Sequence, residues 1–275
     1  MNDIKYLQDL RTLEGLCKTA MDLSISTYGQ EVPTWREEYG SDIFGKICVT
    51  SIAILKLLPK SEFYFAPKGQ EIWDISSVSV LSRSLIDSYN IFHYLIIEKV
   101  DKDELEFRFI LWKLHSECER LKMLEFIKST HTGLDKLKQY IESRRKELKD
   151  NRFYQRLDLE KQKDLIKGRK GIFLTNAKIS ENAGINPDYY RSVYKYLSQY
   201  IHTYPFSISQ IAIFRAGDVK SLQLFVSIIG YCTGYLGLSI RDFLKVVPDQ
   251  SKNITSEVTN TIQDWEYIMK FEFKD

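Results

Sequence analysis

The sequence predicts an all-α fold, a multi-helix bundle of about eight to ten helices, on three observations. Apolar residues recur at three- and four-residue spacing through most of the chain, the period of one helix face. Prolines stand between those runs or at their ends, and a single short segment, 208–214, has strand character. Hydrophobic residues make up 44% and charged residues 28% of 275 residues, which suits a folded core and argues against disorder. The expected organisation is one helical domain over 1–275, with 135–170 as a basic, exposed helical insertion or hairpin.

The first helix is expected over 3–27, from the spacing of Leu7, Leu10, Leu13, Leu16, Cys17 and Met21. A loop over 29–41 holds Pro33 and two glycines, after which Asp42 can cap a helix through Ile47, Val49, Ile52 and Leu55 to Pro59. Beyond a break at 59–69, segments 72–99 and 103–128 read as two long helices joined near Asp101, a hairpin expected to form the core. Residues 135–170 carry thirteen Lys and Arg against seven Asp and Glu, about +6, and opposite charges such as Glu142 and Lys146 at i, i+4 suggest a solvated helix face. Asn186-Pro187-Asp188 is a helix start, with the helix running to about Thr203 before Pro205. A long helix over 221–247 ends at Pro248, and a last one covers 254–271.

With 39 Lys and Arg against 37 Asp and Glu, the net charge of +2 sets up no global field towards nucleic acid or an anionic membrane, so any such binding is local. Cys17, Cys48, Cys118 and Cys232 form no C-x-x-C pair and sit in apolar helical contexts, which points to small buried thiols and away from a zinc site. His93, His115 and His131 show no metal-ligand spacing either, and no cofactor is expected. The N-terminal Met1-Asn2-Asp3-Ile4-Lys5 lacks a charged-then-apolar leader, so the expected location is a reducing cytoplasm. Residues 221–240 contain no charge and could span a bilayer by length. Gln223, Ser227, Thr233, Ser239 and three glycines dilute the stretch, so a central buried helix and no membrane are expected. No G-x-x-x-x-G-K, G-x-G-x-x-G or G-x-S-x-G motif occurs, which removes the local signatures of nucleotide loops and of the hydrolase elbow.

Two helices carry polar residues that an interior helix does not need. In 72–99, Arg83, Asp87 and Asn90 stand at i, i+4 and i+7 on one face, with Asp87 placed to accept from Arg83. In 189–202, Arg191, Tyr194, Ser198 and His202 form a second stripe, flanked by apolar Val193, Leu197, Tyr200 and Ile201. If the stripes face one another, a cation, a carboxylate, a hydroxyl and an imidazole converge. Histidine can then act as general acid or base, and arginine can hold a phosphate or stabilise a phosphorane-like transition state. The other reading is a satisfied polar network that fixes helix register, and both stay open on the residues alone.

Arg83-Ser84-Leu85-Ile86-Asp87, followed by Tyr194-Lys195-Tyr196-Leu197-Ser198-Gln199-Tyr200-Ile201-His202, resembles a bacterial family of helical proteins with an R-S-L-x-E/D helix and a Y-x-x-L-S-x-Y-x-H helix, over about residues 40–245. Asp87 stands where that family usually has glutamate. The family is similar in turn to HEPN-type bundles, many of which are metal-independent ribonucleases of toxin-antitoxin and phage-defence systems. The resemblance implies an HEPN-like core, RNA or a nucleotide as ligand, a homodimer, and His202 as general acid/base. Catalytic HEPN proteins carry R-x(4-6)-H on one helix; here Lys195 precedes His202 with six residues between, Arg191 is farther away, and the arginine is missing from its place. Arg83 then has to supply the cation from the neighbouring helix. In that assignment Arg83, Asp87 and His202 are catalytic, and Ser198, Tyr194, Arg191, Asn90 and Lys195 bind substrate. The rival assignment is a non-enzymatic helical module that binds a protein partner.

Overall fold

The computed structural model describes residues 2–30, 34–68, 70–130, 132–214 and 216–271; Pro33, Gly69 and His131 lie outside them. Among the described residues the chain forms twelve α-helices and no strand. They fall into two compact units, one of residues 1–97 with 176–275 and the other of residues 98–175, which contains the basic segment 135–170.

The larger unit is built around α11 (Val219–Val246), with α1 (Asn2–Thr27), α2 (Trp35–Leu57) and α3 (Ile75–Phe92) packed on it. Tyr6 of α1 meets Phe225 of α11 edge to face and Phe44 of α2 stacks on Phe243, while Leu10, Leu13, Ile228 and Leu236 are buried in the same unit. Among the described residues α11 alone is long and apolar enough to cross a membrane, and 67% of its most apolar window is buried inside the fold. Its glycines receive α12 (Ser256–Lys270): a Cβ at Gly230 would lie 2.8 Å from the Trp265 ring, and one at Gly234 would lie 2.7 Å from Met269 Sδ. The two glycines, one turn apart, let a tryptophan and a methionine lie against bare backbone.

Several boundaries differ from the sequence reading, each for a local reason. Helix α2 starts at Trp35 and runs through Asp42, because Thr34 and Glu37 make a complete capping box that nucleates the helix earlier. Asp74, whose carboxylate accepts from Ser77 N at 2.9 Å, starts α3, which gives way after Phe92 to a π-helical turn, His93–Ile97. Each of the two helices expected as a core hairpin finds its neighbours within its own unit: α3 packs on α2, α11 and α9 (Pro187–Ile201) in the larger, and α4 (Lys102–Phe126) packs on α5 (Leu134–Asp150) and α6 (Arg152–Arg156) in the smaller. Segment 208–214, with its strand-like isoleucines, belongs mostly to a helix, α10 (Pro205–Ile213), because Pro205 sets the backbone angle of a first helical residue. The short helices α7 (Leu159–Leu165) and α8 (Asn176–Asn182) carry too few residues to show a period.

Candidate functional site

Helix α9 starts where Asn186-Pro187-Asp188 predicts: the Asn186 side chain accepts from Asp188 N at 2.8 Å and from Tyr189 N at 3.0 Å. Val193, Leu197 and Tyr200 are buried, which turns Tyr194 and Ser198 towards α3. On α3, burial of Leu85, Ile86 and Tyr89 fixes the rotation that points Arg83 and Asp87 at α9. The two polar stripes therefore meet over part of their length.

Arg83 is the centre of that meeting. Its Nη1 donates to Ser198 Oγ at 3.0 Å and its Nη2 to Tyr194 OH at 2.6 Å, while its Cζ stands 4.2 Å from the centre of the Tyr194 ring. Ser198 in turn donates to the Tyr194 carbonyl at 2.5 Å, so its hydroxyl is oriented to accept from the guanidinium. Asp87 Oδ2 lies 3.9 Å from Arg83 Nε, an ion pair too long for a hydrogen bond. A guanidinium has five N–H groups, and two of those of Arg83 are engaged by protein groups among the described residues. With 19% of the side chain exposed, the remaining donors can reach an incoming anion.

Asp87 also accepts from Asn176 Nδ2 at 3.4 Å, at the start of α8. Burial pushes its carboxyl up, and the opposing pull of Arg83, Tyr194 and Lys46 does not cancel it, although the side chain keeps 40% exposure. Inward of Asp87 the site becomes a closed polar seam. Tyr190 stacks on Tyr194 with ring centres 5.3 Å apart, and Ser180 donates to Asn90 Oδ1 at 3.0 Å. Asn90 Nδ2, Tyr190 OH and Tyr235 OH are buried in this seam, with Tyr190 facing Asn90 and Tyr235 facing Ser180. Burial pushes the Tyr190 and Tyr235 phenols up, so both stay neutral donors.

The remaining predicted residues lie apart. His202 caps the C-terminus of α9, exposed, with its ring 5.2 Å from that of Tyr204 and no side-chain hydrogen bond among the described residues. It sits one helical turn beyond Ser198, a rise of about 6 Å along the axis. Thr203, next in the chain, has φ 52°, a left-handed conformation that a β-branched residue adopts only under strain, and this turns the chain into α10. Arg191 is exposed and paired with Asp188 at 3.1 Å, and Lys195 is exposed on the side of α9 away from its buried face. Asn90 has no exposed surface, so its side chain serves the buried seam.

The sequence reading missed Asn176, Tyr190, Lys46 and Tyr235 as neighbours of this site. It also missed a second polar cluster on the inner side of α3. Asp242 of α11, fully buried, accepts from Tyr89 OH at 3.0 Å, from Arg241 Nε at 2.9 Å and from Lys245 Nζ at 2.6 Å. Burial pushes the Asp242 carboxyl up, but His93, Arg241 and Lys245 outweigh it and hold the group well below the usual carboxylate range. The signal that could have been read is the Arg241-Asp242 pair at the end of an otherwise uncharged helical run. The fact that it pairs with Tyr89, 153 residues away, is not written in any local pattern.

No group of three or more metal-ligating side chains occurs among the described residues. No curated protein and no solved structure matches the chain. Residues 37–218, which include Arg83, Asp87, Tyr194, Ser198 and His202, match a family of unknown function, DUF5677. With that match covering about two-thirds of its length, the chain belongs to the DUF5677 family.

Proposed function

We propose that the α3–α9 site is an anion site for RNA phosphodiester chemistry, of HEPN-like type and independent of metal. The observation that supports it most is Arg83: a guanidinium fixed by Tyr194 and Ser198, with donors left over, while an exposed imidazole, His202, stands one helical turn beyond Ser198 on α9. Arg83 holds the phosphate and stabilises charge on its equatorial oxygens as the transition state forms. His202 takes the proton from the attacking ribose 2′-hydroxyl; the P–O5′ bond breaks, and the same proton returns to the leaving 5′ oxygen. The products are a 2′,3′-cyclic phosphate and a 5′-hydroxyl. Asp87 orients Arg83, and Tyr194 and Ser198 fix it sideways. A bacterial defence or stress role in the cytoplasm, and a homodimer, follow from the same reading. Exposed Phe206, Ile208 and Ile211 on α10 support self-association.

The test is to express wild type, Arg83→Ala and His202→Ala at matched levels and to compare growth arrest, RNA integrity and the termini of any fragments. Loss of cleavage in both variants, with wild-type folding, supports the reading; equal behaviour of all three removes it. A second reading, a non-enzymatic protein-binding module with a structural polar cluster, is favoured by the three groups of α3 and α9 that already engage Arg83. It expects Arg83→Ala to lower the melting temperature and leave RNA untouched.

A further inference from the structure

A concavity unrelated to Arg83 lies in the smaller unit. Helices α4 and α5 and the turn after α7 enclose a cleft of about 150 Å³ with an apolar floor of Leu121 and Ile141. Four cations reach it: Lys122 from α4, Lys138 and Arg145 from α5, and Lys167 from the turn. Against them the lining offers a single carboxylate, Glu142, which is paired with Arg145. Lys122 is paired with Glu119 at 2.5 Å. Lys138 and Lys167 have no ion-pair partner among the described residues.

The turn that carries Lys167 is firmly built. Gly168 has φ +67°, and a Cβ there would stand 2.5 Å from Cys118 Sγ, so a glycine alone lets this turn close onto α4. His115 Nδ1 lies 3.0 Å from the Gly168 carbonyl oxygen, and Leu165 just before it is buried. Arg145 Nε donates to the Ile166 carbonyl at 3.2 Å, which ties α5 to the same turn. Lysines that line one cleft repel one another unless an anion joins them, and a concave wall focuses their field. The excess of cations over 135–170, about +6, therefore has a place where several of them act together.

We propose that this cleft binds a phosphomonoester on a short carbon stem, its phosphate between Lys138, Lys167 and Arg145 and its stem against Leu121 and Ile141. The volume, below the roughly 300 Å³ at which drug-sized pockets begin, suits one phosphate and a few carbons, not a whole nucleotide. Arg145, already engaged by Glu142 and the Ile166 carbonyl, adds positive charge beside the cleft, and the two lysines supply point charges for the phosphate.

The test is calorimetric titration of the full chain with glycerol 3-phosphate and with inorganic phosphate at constant ionic strength. The comparison is a Lys138→Gln/Lys167→Gln double variant, which removes two exposed charges and leaves the helix packing intact. Saturable binding by wild type, weakened about tenfold or more in the double variant, is expected. RNA pentamers with a 5′-phosphate or a 5′-hydroxyl distinguish the sources of the ester. Charge-dependent binding of the phosphorylated pentamer alone assigns the site to an RNA end, and binding of glycerol 3-phosphate without that preference assigns it to a free metabolite. Absence of saturable binding by every phosphate probe, or affinity unchanged in a normally folded double variant, overturns the proposal.

Discussion

Helix α3 shows two ways in which one element can carry charge into a fold. On its inner side, Tyr89 meets Asp242, whose two carboxylate oxygens take hydrogen bonds from Tyr89, Arg241 and Lys245, and Arg241 goes on to Glu266 of α12. On its outer side, Arg83 is held by Tyr194 and Ser198, stands 3.9 Å from Asp87 and keeps free donors at the surface. The inner cluster is closed and ties three helices; the outer one is open and has binding capacity left. A buried charge whose partners are complete serves register, whereas one held in place yet incompletely bonded is ready for a ligand.

The largest effect is expected where the closed cluster is broken. Asp242→Asn leaves the mostly buried Arg241 facing a neutral amide, while Lys245 can turn to water, and should cost about 3 kcal/mol, measured by urea unfolding. A cost below about 1 kcal/mol would show that the inner cluster is not the structural partner of this pair. Acid is the second probe. Because the folded carboxyl of Asp242 titrates below its unfolded value, its contribution is complete above the unfolded value, about pH 4, and is lost as pH falls below it. Asp242→Asn should flatten that acid limb, and unfolding curves between pH 6 and pH 3, taken as about the useful range, will show whether it does.

The open cluster should respond less. Arg83→Met removes two hydrogen bonds and a stacking contact at a site with a solvent path, for a cost of about 1–2 kcal/mol. The same change should abolish binding of phosphate to this site. A loss as large as that of Asp242→Asn would make the two clusters alike, and the distinction between register and readiness would fail.

What could be read beforehand follows the range of each interaction. The 3.6-residue period revealed most helices, and Arg83, Asp87, Tyr194 and Ser198 were legible as two faces because spacing within a helix fixes direction. That the two faces meet depends on how α3 and α9 rotate against the core, which burial of Leu85, Tyr89, Val193 and Leu197 decides. The same limit hid the Tyr89–Asp242 bond and the convergence of Lys138 with Lys167, whereas their net charge was plain. In 208–214 the isoleucines favour extended chain, but Pro205 starts a helix that carries them with it. The π-helical turn at His93 has no sequence signature, since one shifted hydrogen-bond register changes no residue type.

The smallest effect tests how His202 is held. Thr203 pays for its left-handed backbone with about 1–2 kcal/mol, which glycine relieves, but glycine also raises the entropy lost on folding by about 0.5–1 kcal/mol. Thr203→Gly should therefore raise the melting temperature by only about 1–3 °C. If the strained turn sets the imidazole one turn from Ser198, the same variant loses phosphodiester cleavage while gaining stability, because strain kept at a working site positions a group that a relaxed chain does not. A variant that is more stable and equally active would place His202 outside the reacting geometry and leave Arg83 to act as a binding residue alone. A variant that is less stable would show that Thr203 makes a contact whose loss outweighs its strain.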